Sequence, residues 1–429
     1  MNARHGLKSR SAPPPPTVLV LGGGLAGIAA SVRLAKSGIR VHLIETRKRL
    51  GGRATSFPDP TTGQTLDNCQ HVLMGCCTNL LDLYRHLGVT DHITWHKRLH
   101  FAAIHHKGHR RPILDTLEAD DLPAPMHMTG ALMAFKSLKL NEKFAIARAM
   151  LAMMRLGRDR RAKLHNRSFL QWLLDHHQPQ GAISKFWQVI IVSALNEQLD
   201  HTAADYAIQV FQDGFLANED AYLMGLPNTP LVDLYDHAAQ VICDGGGEVS
   251  FGVAAERLLL EDNRITGVRT TDGQTLHADH YLSALPFDRL AKICDVNLLK
   301  ADPRLRRLDR FTVSPILGIH LWFKSDGSRA VMDLPHLVLI DSPLQWIFNK
   351  GIRHDEGSGM TRERTEAPFT QAGGTVQHLH GVISAAQDWI NEPAGEIIDL
   401  ATREVRLALP AARDAVLACA RVIDRKSVV

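Results

Sequence analysis

The stretch "VLVLGGGLAGIAASVRLAKSGIRVHLIETRKRLGGRA", residues 18–54, constrains the fold of this chain more than any other segment. Thr17–Leu21 is a short, β-branched apolar run, which is typical of a buried parallel strand. Apolar residues recur at helical spacing over Leu25–Lys36, and Arg40–Glu45 alternates as a second strand does. The pattern predicts a strand–helix–strand unit of about 30 residues. It therefore favours an α/β fold with a Rossmann-like domain.

Gly22 and Gly24, between the first strand and the helix, and Gly27, in the first turn of the helix, fit the pattern G-x-G-x-x-G. In this pattern the first glycine permits a tight turn, the second lets backbone approach a pyrophosphate, and the third lets helix pack on strand. The start of the helix offers unpaired N–H groups to phosphates. Glu45 lies at the spacing of a carboxylate that accepts hydrogen bonds from a ribose, which disfavours the 2′-phosphate of NADP. The residues predicted to contact a dinucleotide here are Gly22, Gly24, Leu25, Ala26, Gly27 and Glu45.

A second glycine pair, Gly51 and Gly52, follows the second strand and would let the chain pass close to an extended cofactor. Arg47 and Arg53 flank it and can place cations near the pyrophosphate or ribose, although a solvated basic turn is the alternative. This segment, "ETRKRLGGRA", resembles the second fingerprint of the flavin amine oxidase and carotenoid desaturase superfamily. The resemblance favours FAD over NAD as the cofactor.

The same resemblance implies a GR2-type flavoprotein, in which a Rossmann-like FAD-binding domain is interleaved with a substrate domain of helices and a mixed sheet. Gly245–Pro286 is similar to the superfamily's third element, in which a residue just after a strand, here Val253, meets the adenine. We expect the FAD-binding domain at 17–90 and 240–295, the substrate domain at 91–239 and 296–429, and a disordered tail at 1–16. No segment after Ile383 resembles the superfamily's closing Gly-Asp flavin motif, so we expect a truncated chain without its C-terminal FAD segment.

Composition narrows the function classes. Hydrophobic residues make up 45% of the 429 residues, which is enough for a substantial core. A net charge of +4 is too weak for a nucleic-acid surface. Six scattered cysteines without a C-x-x-C pair are expected to be reduced thiols in the cytosol. The "HHKGH" run lacks the spacing of metal ligands, so we predict no metal site.

The segment "LDNCQHVLMG" resembles a run found in the hydroxysqualene dehydroxylase family. That family has an Asp-Asn-Gly-Gln-His run, which Asp67, Asn68, Gln70 and His71 match, whereas Cys69 replaces the glycine. Four further segments look like the same family: "FWQVIIVSALNEQLDHTAA", "LPNTPLVDLY", "SPILGIHLWF" and "QWIFNK". The resemblance covers residues 17–425.

The resemblance implies a reaction in which reduced FAD replaces the allylic hydroxyl of hydroxysqualene with hydrogen, giving squalene for hopanoid synthesis. Such chemistry needs a hydrogen-bond donor at the departing oxygen and a dry apolar pocket. Gln70 and His71 are the candidate catalytic residues, and Asn196 is a third. For each of them a structural hydrogen-bonding role is the alternative.

Rival functions stay open at this point. A carotenoid desaturase of phytoene type and a flavin amine oxidase are alternatives from the same superfamily. An inactive, truncated flavin-binding relic is an alternative of a different class. A soluble NAD-dependent dehydrogenase is disfavoured by the second glycine pair and the arginine that follows it.

A long isoprenoid substrate would link the protein to a membrane. Each buried CH₂ is worth roughly 0.8 kcal/mol, so a thirty-carbon chain is effectively absent from water. No apolar run of about 18 residues predicts a spanning helix. We therefore expect a cytoplasmic protein that attaches peripherally to the inner face of the membrane, through the Met-rich helix at 144–156. A core-facing role for Ile146, Met150, Met153 and Leu156 is the alternative.

Overall fold

The computed structural model describes residues 15–106, 111–325, 330–354 and 375–423. The predicted tail at 1–16 lies almost wholly outside these residues. In the described part of the chain the strands are β1 Thr17–Leu21, β2 Arg40–Glu45, β3 Ser56–Pro58, β4 Thr65–Asp67, β5 Leu73–Met74, β6 Ile93–His96, β7 Leu99–Ala103, β8 Ile113–Leu117, β9 Met224–Pro227, β10 Glu248–Phe251, β11 Ala255–Glu261, β12 Arg264–Thr270, β13 Thr275–Leu276, β14 His280–Ser283, β15 Leu317–Ser325, β16 His336–Ile340, β17 Trp346–His354, β18 Thr375–Ile383 and β19 Val416–Val422. The helices are α1 Leu25–Lys36, α2 Thr78–Leu87, α3 Thr129–Ala134, α4 Leu140–Leu156, α5 Phe169–Asp175, α6 Gln180–Ala182, α7 Gln188–Leu195, α8 Ala204–Gly214, α9 His237–Asp244, α10 Phe287–Ile293, α11 Val296–Ala301 and α12 Ala394–Ala408.

The chain divides into two compact units, and the first contains the glycine turn. It comprises the described residues up to Thr55, together with Leu83–Val89 and Val232–Thr312. A parallel sheet in the order β10–β2–β1–β14 forms its centre. The elements β1, α1 and β2 have the bounds that the sequence predicts, because the apolar periodicity that defines them is local. An antiparallel sheet, β11–β12–β13, belongs to the same unit. One of its cores consists of Leu19, Leu21, Ile44, Leu258, Val268, Ile293 and Leu298.

The second unit comprises Ser56–Asp82, Thr90–Leu231 and the described residues from Val313 onwards. Its main sheet has seven strands in the order β19–β15–β18–β17–β16–β7–β8. The β16–β7 pair is parallel and the other neighbours are antiparallel, so the sheet is mixed. Helices α3 to α8 pack around a core that includes Phe169, Trp187 and Phe211. This architecture agrees with the predicted α/β fold with helices and a mixed sheet.

The bounds of the two units differ from the predicted domains. Residues 56–82, predicted with the FAD-binding domain, belong to the second unit, because β3 pairs with β4 and β5 pairs with β9. Residues 232–239 and 296–312, predicted with the substrate domain, belong to the first unit. Helix α9 packs on α1 and leads directly into β10 of the parallel sheet. The assignment of cofactor to one unit and substrate to the other stays a prediction.

The Met-rich helix α4, through which we expected membrane contact, packs the side that carries Ile146, Met150 and Met153 against the core. Ile146 and Met153 are fully buried, and Met150 packs against the same core. The core-facing alternative is therefore correct for this side of the helix. Among the described residues, no helix combines the length and the apolar character that crossing a bilayer requires.

Candidate functional site

The glycine turn of the first unit joins β1 to α1. Gly22 has a φ of +100°, a backbone conformation that residues with a Cβ rarely adopt. A Cβ on Gly27 would lie 1.8 Å from the Gly22 carbonyl oxygen, so a glycine is needed for the helix to approach the strand. These two glycines therefore fix the turn and the packing of α1, as the motif predicts.

The start of α1 points unpaired backbone groups out of the turn. The first intrahelical bond joins the Ile28 amide to the Gly24 carbonyl at 2.9 Å. The amides of Leu25, Ala26 and Gly27 precede this bond and have no helical carbonyl to pair with. They are the donors that a helix start offers to a phosphate.

The two glycine clusters contact each other directly. The Gly51 amide donates to the Gly23 carbonyl at 2.9 Å. A Cβ on Gly52 would lie 2.8 Å from Gly24 Cα. The first turn and the second glycine pair thus form one backbone surface without side chains, which is the cradle that a diphosphate requires.

Glu45 ends β2 at the tip of the glycine turn, and its side chain is buried. Its carboxylate accepts the Gly23 amide at 2.7 Å and the Arg47 amide at 2.8 Å. A carboxylate has about four acceptor positions on its two oxygens, so these two bonds leave it able to accept ribose hydroxyls. The Val253 amide donates to the Glu45 carbonyl at 3.1 Å. If Val253 contacts the adenine as predicted, it therefore does so with its carbonyl group or its side chain.

Three arginines surround the second glycine pair in different ways. The Arg47 guanidinium donates to the Gly52 carbonyl at 2.9 Å, so it holds the turn in place. Arg53 is exposed. Arg49 was not predicted to contact the cofactor, yet its Nε is buried and has no hydrogen-bond partner among the described residues. An orphaned buried cation donor at this position makes Arg49 a further candidate for binding a phosphate.

These observations test whether the residues fit FAD. The backbone cradle, the free helix start, the carboxylate at the turn and the orphaned Arg49 donor together match the needs of an adenine dinucleotide. The individual contacts of Gly22, Gly24, Leu25, Ala26, Gly27, Glu45, Arg47, Gly51, Gly52, Arg53 and Val253 with the cofactor stay predictions.

In the second unit, the polar run that follows β4 covers one face of the main sheet. Strand β17 places Trp346 and Phe348 at alternate positions, so their side chains lie on the same face. Lys350 follows where the pairing of β17 with β18 shifts register, and its ammonium reaches the same polar run. The rings of Trp346 and Phe348 stack with centroids 5.3 Å apart and an interplanar angle of 2°. Phe348 packs in a cluster with Cys69. The face is therefore aromatic, and the polar run that covers it binds a cation.

Lys350 connects β17 to the predicted site segment. Its ammonium donates to Asp67 Oδ2 at 2.9 Å and to Gln70 Oε1 at 3.0 Å. Asp67 Oδ1 also accepts the Ser56 hydroxyl at 2.7 Å and the Leu231 amide at 3.0 Å. Burial raises the pKa of Asp67, but the Lys350 charge and these hydrogen bonds outweigh it and hold the pKa below its ordinary value. Asp67 is therefore a fixed anion that anchors this segment.

His71 is held in one tautomer by the backbone. Its Nδ1 lies 2.9 Å from the Cys69 carbonyl oxygen, and because a carbonyl only accepts, Nδ1 must donate. Burial lowers the pKa of His71, and the Cys69 carbonyl and the Asp67 charge offset only part of this effect. The neutral ring therefore carries its lone pair on Nε2. Gln70 lies beside it and donates from Nε2 to the His71 carbonyl at 3.3 Å.

Three histidines on β15 and β18 lie on the same sheet as Lys350. His320 Nε2 donates to the Asp67 carbonyl at 3.3 Å, so its Nδ1 accepts from His378 Nε2 at 2.8 Å. Burial lowers the pKa of His320 to about 4. His380 is fully buried, and the centroid of its ring lies 4.1 Å from the centroid of the His320 ring. Neither ring nitrogen of His380 has a hydrogen-bond partner among the described residues. Burial lowers the pKa of His380 well below its ordinary value. Both buried rings are therefore neutral.

Asn196 is used by the fold. It ends α7 in the left-handed conformation with a φ of +56°. Its Nδ2 donates to the Ser314 carbonyl at 2.6 Å, and its Oδ1 accepts the Ala385 amide at 2.7 Å. Both ends of the carboxamide are occupied, so the geometry favours a structural role over the predicted catalytic one.

Lys350 and the three histidines are not among the residues predicted for the site. The structure brings Gln70 and His71 together with Lys350, whereas the bonds of Asn196 go to two other loops. One signal was present in the sequence. The segment "QWIFNK", one of those that resemble the hydroxysqualene dehydroxylase family, contains Trp346, Phe348 and Lys350.

Comparison with known proteins agrees with this geometry. The family model described as "Flavin containing amine oxidoreductase" matches residues 25–422. The chain is 25% identical over 404 residues to the 15-cis-phytoene desaturase of Synechococcus elongatus, covering 92% of this chain and 80% of that enzyme. It is 25% identical over 412 residues to the 15-cis-phytoene desaturase of Arabidopsis thaliana, covering 94% of this chain and 68% of the relative.

Solved structures show the same fold. An oxidoreductase from Methanosarcina mazei superposes with a TM-score of 0.65 at 16% identity, covering 95% of this chain and 87% of that one. A putrescine oxidase bound to putrescine superposes with a TM-score of 0.66 at 16% identity, covering 96% and 85%. The family model spans α1, the second glycine pair and almost the entire second unit. The chain therefore belongs to the flavin-containing amine oxidoreductase family, and its cofactor is FAD.

Proposed function

We propose that this chain is an oxidoreductase that desaturates a long isoprenoid of phytoene type. The proposal rests on His71, whose neutral ring offers the Nε2 lone pair in the segment that Lys350 joins to β17, the strand that carries Trp346 and Phe348. Support comes from the curated relatives, which are phytoene desaturases. Reductive dehydroxylation of hydroxysqualene, the first expectation from the sequence, becomes the second candidate.

Desaturation removes a hydride from one carbon and a proton from its neighbour, and the remaining electron pair forms the new double bond. FAD, when bound, supplies the hydride acceptor for this chemistry. The proton needs a base, and a neutral imidazole with a free lone pair is suited to accept it. The stacked rings of Trp346 and Phe348 provide an apolar surface against which an isoprenoid chain can pack. His71 is thus the proposed base.

Dehydroxylation needs the opposite kind of group. The departing hydroxyl must receive a proton or a strong hydrogen bond, and His71 Nε2 accepts rather than donates in the tautomer that the Cys69 carbonyl favours. The donor nearest to this segment is the Lys350 ammonium, which already bonds to Asp67 and Gln70. One observation favours this second candidate: Lys350 joins "QWIFNK" to "LDNCQH", the two segments that resemble the hydroxysqualene dehydroxylase family.

Product analysis separates the candidates. The FAD-loaded protein is incubated in liposomes with phytoene or with a set of amines in the presence of an electron acceptor, and with hydroxysqualene in the presence of a chemical reductant that keeps the flavin reduced, and the products are identified by mass spectrometry. We expect phytoene to lose two hydrogens and the other substrates to be unchanged. Formation of squalene from hydroxysqualene would support the second candidate, and an aldehyde from an amine would contradict both.

A variant tests the role of His71 in that assay. His71→Gln removes the base but keeps a polar side chain, and we expect turnover to fall by about 100-fold or more, as the loss of a general base does. FAD occupancy should not change. The wild-type rate should fall at acid pH, where His71 becomes protonated, and the acid limb should be absent from the residual activity of His71→Gln. Full turnover by the variant would remove His71 from the proposal.

We also propose that the enzyme attaches peripherally to a bilayer through the outer face of α4. This face differs from the one predicted from sequence. The exposed apolar residues are Leu140, Phe144, Leu151 and Met154, and Phe144 is 62% exposed. Arg148 and Arg155 are exposed on the same helix. An apolar face with arginines suits the interface of a membrane that contains anionic lipids.

A further inference from the structure

Two adjacent cysteines, Cys76 and Cys77, lie at the junction between β5 and α2 in the second unit. The backbone of the pair is fixed on both sides. The Cys76 amide donates to the Ala221 carbonyl at 3.0 Å, and the Cys77 amide donates to the Met74 carbonyl at 2.8 Å. A Cβ on Gly75 would lie 1.9 Å from the Asp220 carbonyl oxygen, so the preceding residue is also tightly packed. The two thiols are thus carried on a well-defined turn.

Cys77 occupies the cap position of a ten-residue helix. Its carbonyl accepts the Leu80 and Leu81 amides, both at 3.0 Å, and the helix α2 begins at the next residue, Thr78. The positive end of a helix stabilises a thiolate near its first turn. Cys77 therefore has the electrostatic surroundings of a nucleophilic cysteine.

The two sulfurs interact with each other. The two neighbouring thiols act on each other electrostatically: Cys76 lowers the pKa of the Cys77 thiol, and Cys77 raises the pKa of the Cys76 thiol. Both side chains are partly exposed. The pair is thus a thiolate-forming sulfur with a second thiol directly beside it.

The remaining cysteines offer no comparable pair. Cys69 is buried, and burial raises the pKa of its thiol to about 12. Burial also raises the pKa of Cys294 and of Cys419. Cys243 is exposed, but no other cysteine is near it in sequence.

We propose that Cys76 and Cys77 form a vicinal dithiol site that captures trivalent arsenic and similar soft metalloids that seek two thiols. Capture of an organoarsenic oxide forms two arsenic–sulfur bonds and breaks the arsenic–oxygen bond. The oxygen leaves as water with the two thiol protons, and no atom changes its oxidation state. The proposal does not depend on the desaturase function.

Geometry favours a bridging atom over a disulfide between these two residues. Adjacent Cα atoms are about 3.8 Å apart across a trans peptide, whereas disulfides span about 4.4–6.8 Å between Cα atoms. A direct S–S bond would therefore strain the turn. An arsenic atom lengthens the bridge between the sulfurs and fits the pair with less distortion.

Titration of the purified, full-length protein with phenylarsine oxide tests the site. Free thiols are counted and the intact mass is measured for the wild type and for Cys76→Ser, Cys77→Ser and the exposed control Cys243→Ser. We expect wild type and Cys243→Ser to bind one arsenical and to lose two thiols. Each variant of the pair should bind at least about 100-fold more weakly, because the second bond is no longer intramolecular.

Two outcomes would overturn the proposal. One is wild-type affinity in Cys76→Ser and Cys77→Ser, and the other is the loss of fewer than two thiols per bound arsenical. Peptide mapping of the wild type gives a readout that does not depend on folding of the variants. Bound arsenical should protect Cys76 and Cys77 from iodoacetamide and leave Cys243 reactive, and the opposite pattern would equally contradict the site.

Discussion

A single ammonium group, that of Lys350, connects the two ends of the candidate substrate site. It is 20% exposed and bonds to Asp67, whose side chain is 5% exposed, as well as to Gln70. Removal of one member of a buried ion pair leaves the other charge without compensation, which costs more than the pair itself contributes. Gln70 also loses the donor that fixes its carboxamide. We therefore expect Lys350 to affect both stability and the arrangement of the site.

Replacement of Lys350 by Met should destabilise the protein by about 3 kcal/mol or more, because Asp67 is left buried without its cation. Denaturant unfolding of the wild type and the variant measures the difference. The matched double variant Lys350→Met/Asp67→Asn removes both charges and should be more stable than Lys350→Met alone. Equal stability of the wild type and Lys350→Met would show that the bond contributes nothing.

Burial of His320 leads to a second prediction, which concerns the dependence of stability on pH. The pKa of His320 is about 4 when folded and about 6.5 when unfolded, so the unfolded state binds more protons between these values. Stability from this group is complete above pH 6.5 and is lost as the pH falls toward 4, by about 3 kcal/mol. His320→Phe should flatten the pH dependence of unfolding, whereas the exposed control His280→Gln should not. An unchanged slope in His320→Phe would contradict the neutral, buried state.

Two glycines at the start of helix α1, Gly24 and Gly27, have different roles. Gly24 has an ordinary φ of −74°, and a Cβ there would meet no atom closer than 3.9 Å. A Cβ on Gly27 would collide with the Gly22 carbonyl. Gly24 therefore leaves space for the cofactor, and Gly27 leaves space for the packing of α1 against the turn after β1.

A matched pair of variants tests this separation. Gly24→Ala should fold with a stability within about 1 kcal/mol of the wild type, because Ala can adopt the Gly24 φ of −74° and its Cβ would meet no atom closer than 3.9 Å, and it should bind FAD at least tenfold more weakly. Gly27→Ala should lower the free energy of unfolding of the apoprotein by about 2 kcal/mol or more through overpacking. Thermal unfolding and FAD titration measure the two effects. Wild-type FAD affinity in Gly24→Ala would contradict the predicted cradle.

The extent to which sequence predicts these elements follows from the range of the interactions. The bounds of β1, α1 and β2 were predictable because local periodicity and glycine positions define them. Lys350 and Asp67 are separated by 283 positions, so no local pattern could show that they pair. Met153 was ambiguous, since a buried face and a membrane-facing surface have the same apolar spacing. Arg49 could not be distinguished from a solvated turn until its Nε was seen to be buried.

At the scale of the whole molecule, the proposed substrate determines where the enzyme must work. A long isoprenoid stays in the bilayer, and the outer face of α4 is the surface proposed to contact it. The variant Phe144→Glu/Leu151→Glu places charge on that face without altering the core. We expect it to lose flotation with anionic liposomes, whereas the control Val296→Glu, at a position that is 64% exposed in the first unit, should float like the wild type. Equal flotation of both variants would contradict the proposed contact.

The direction of electron flow distinguishes a desaturase from a dehydroxylase. The protein is loaded with FAD and mixed anaerobically with phytoene in liposomes, and the flavin absorbance is recorded. We predict that phytoene bleaches the oxidised flavin and that a desaturated product appears in equal amount. Failure of phytoene to bleach the flavin, together with re-oxidation of the reduced flavin by hydroxysqualene, would contradict the desaturase account.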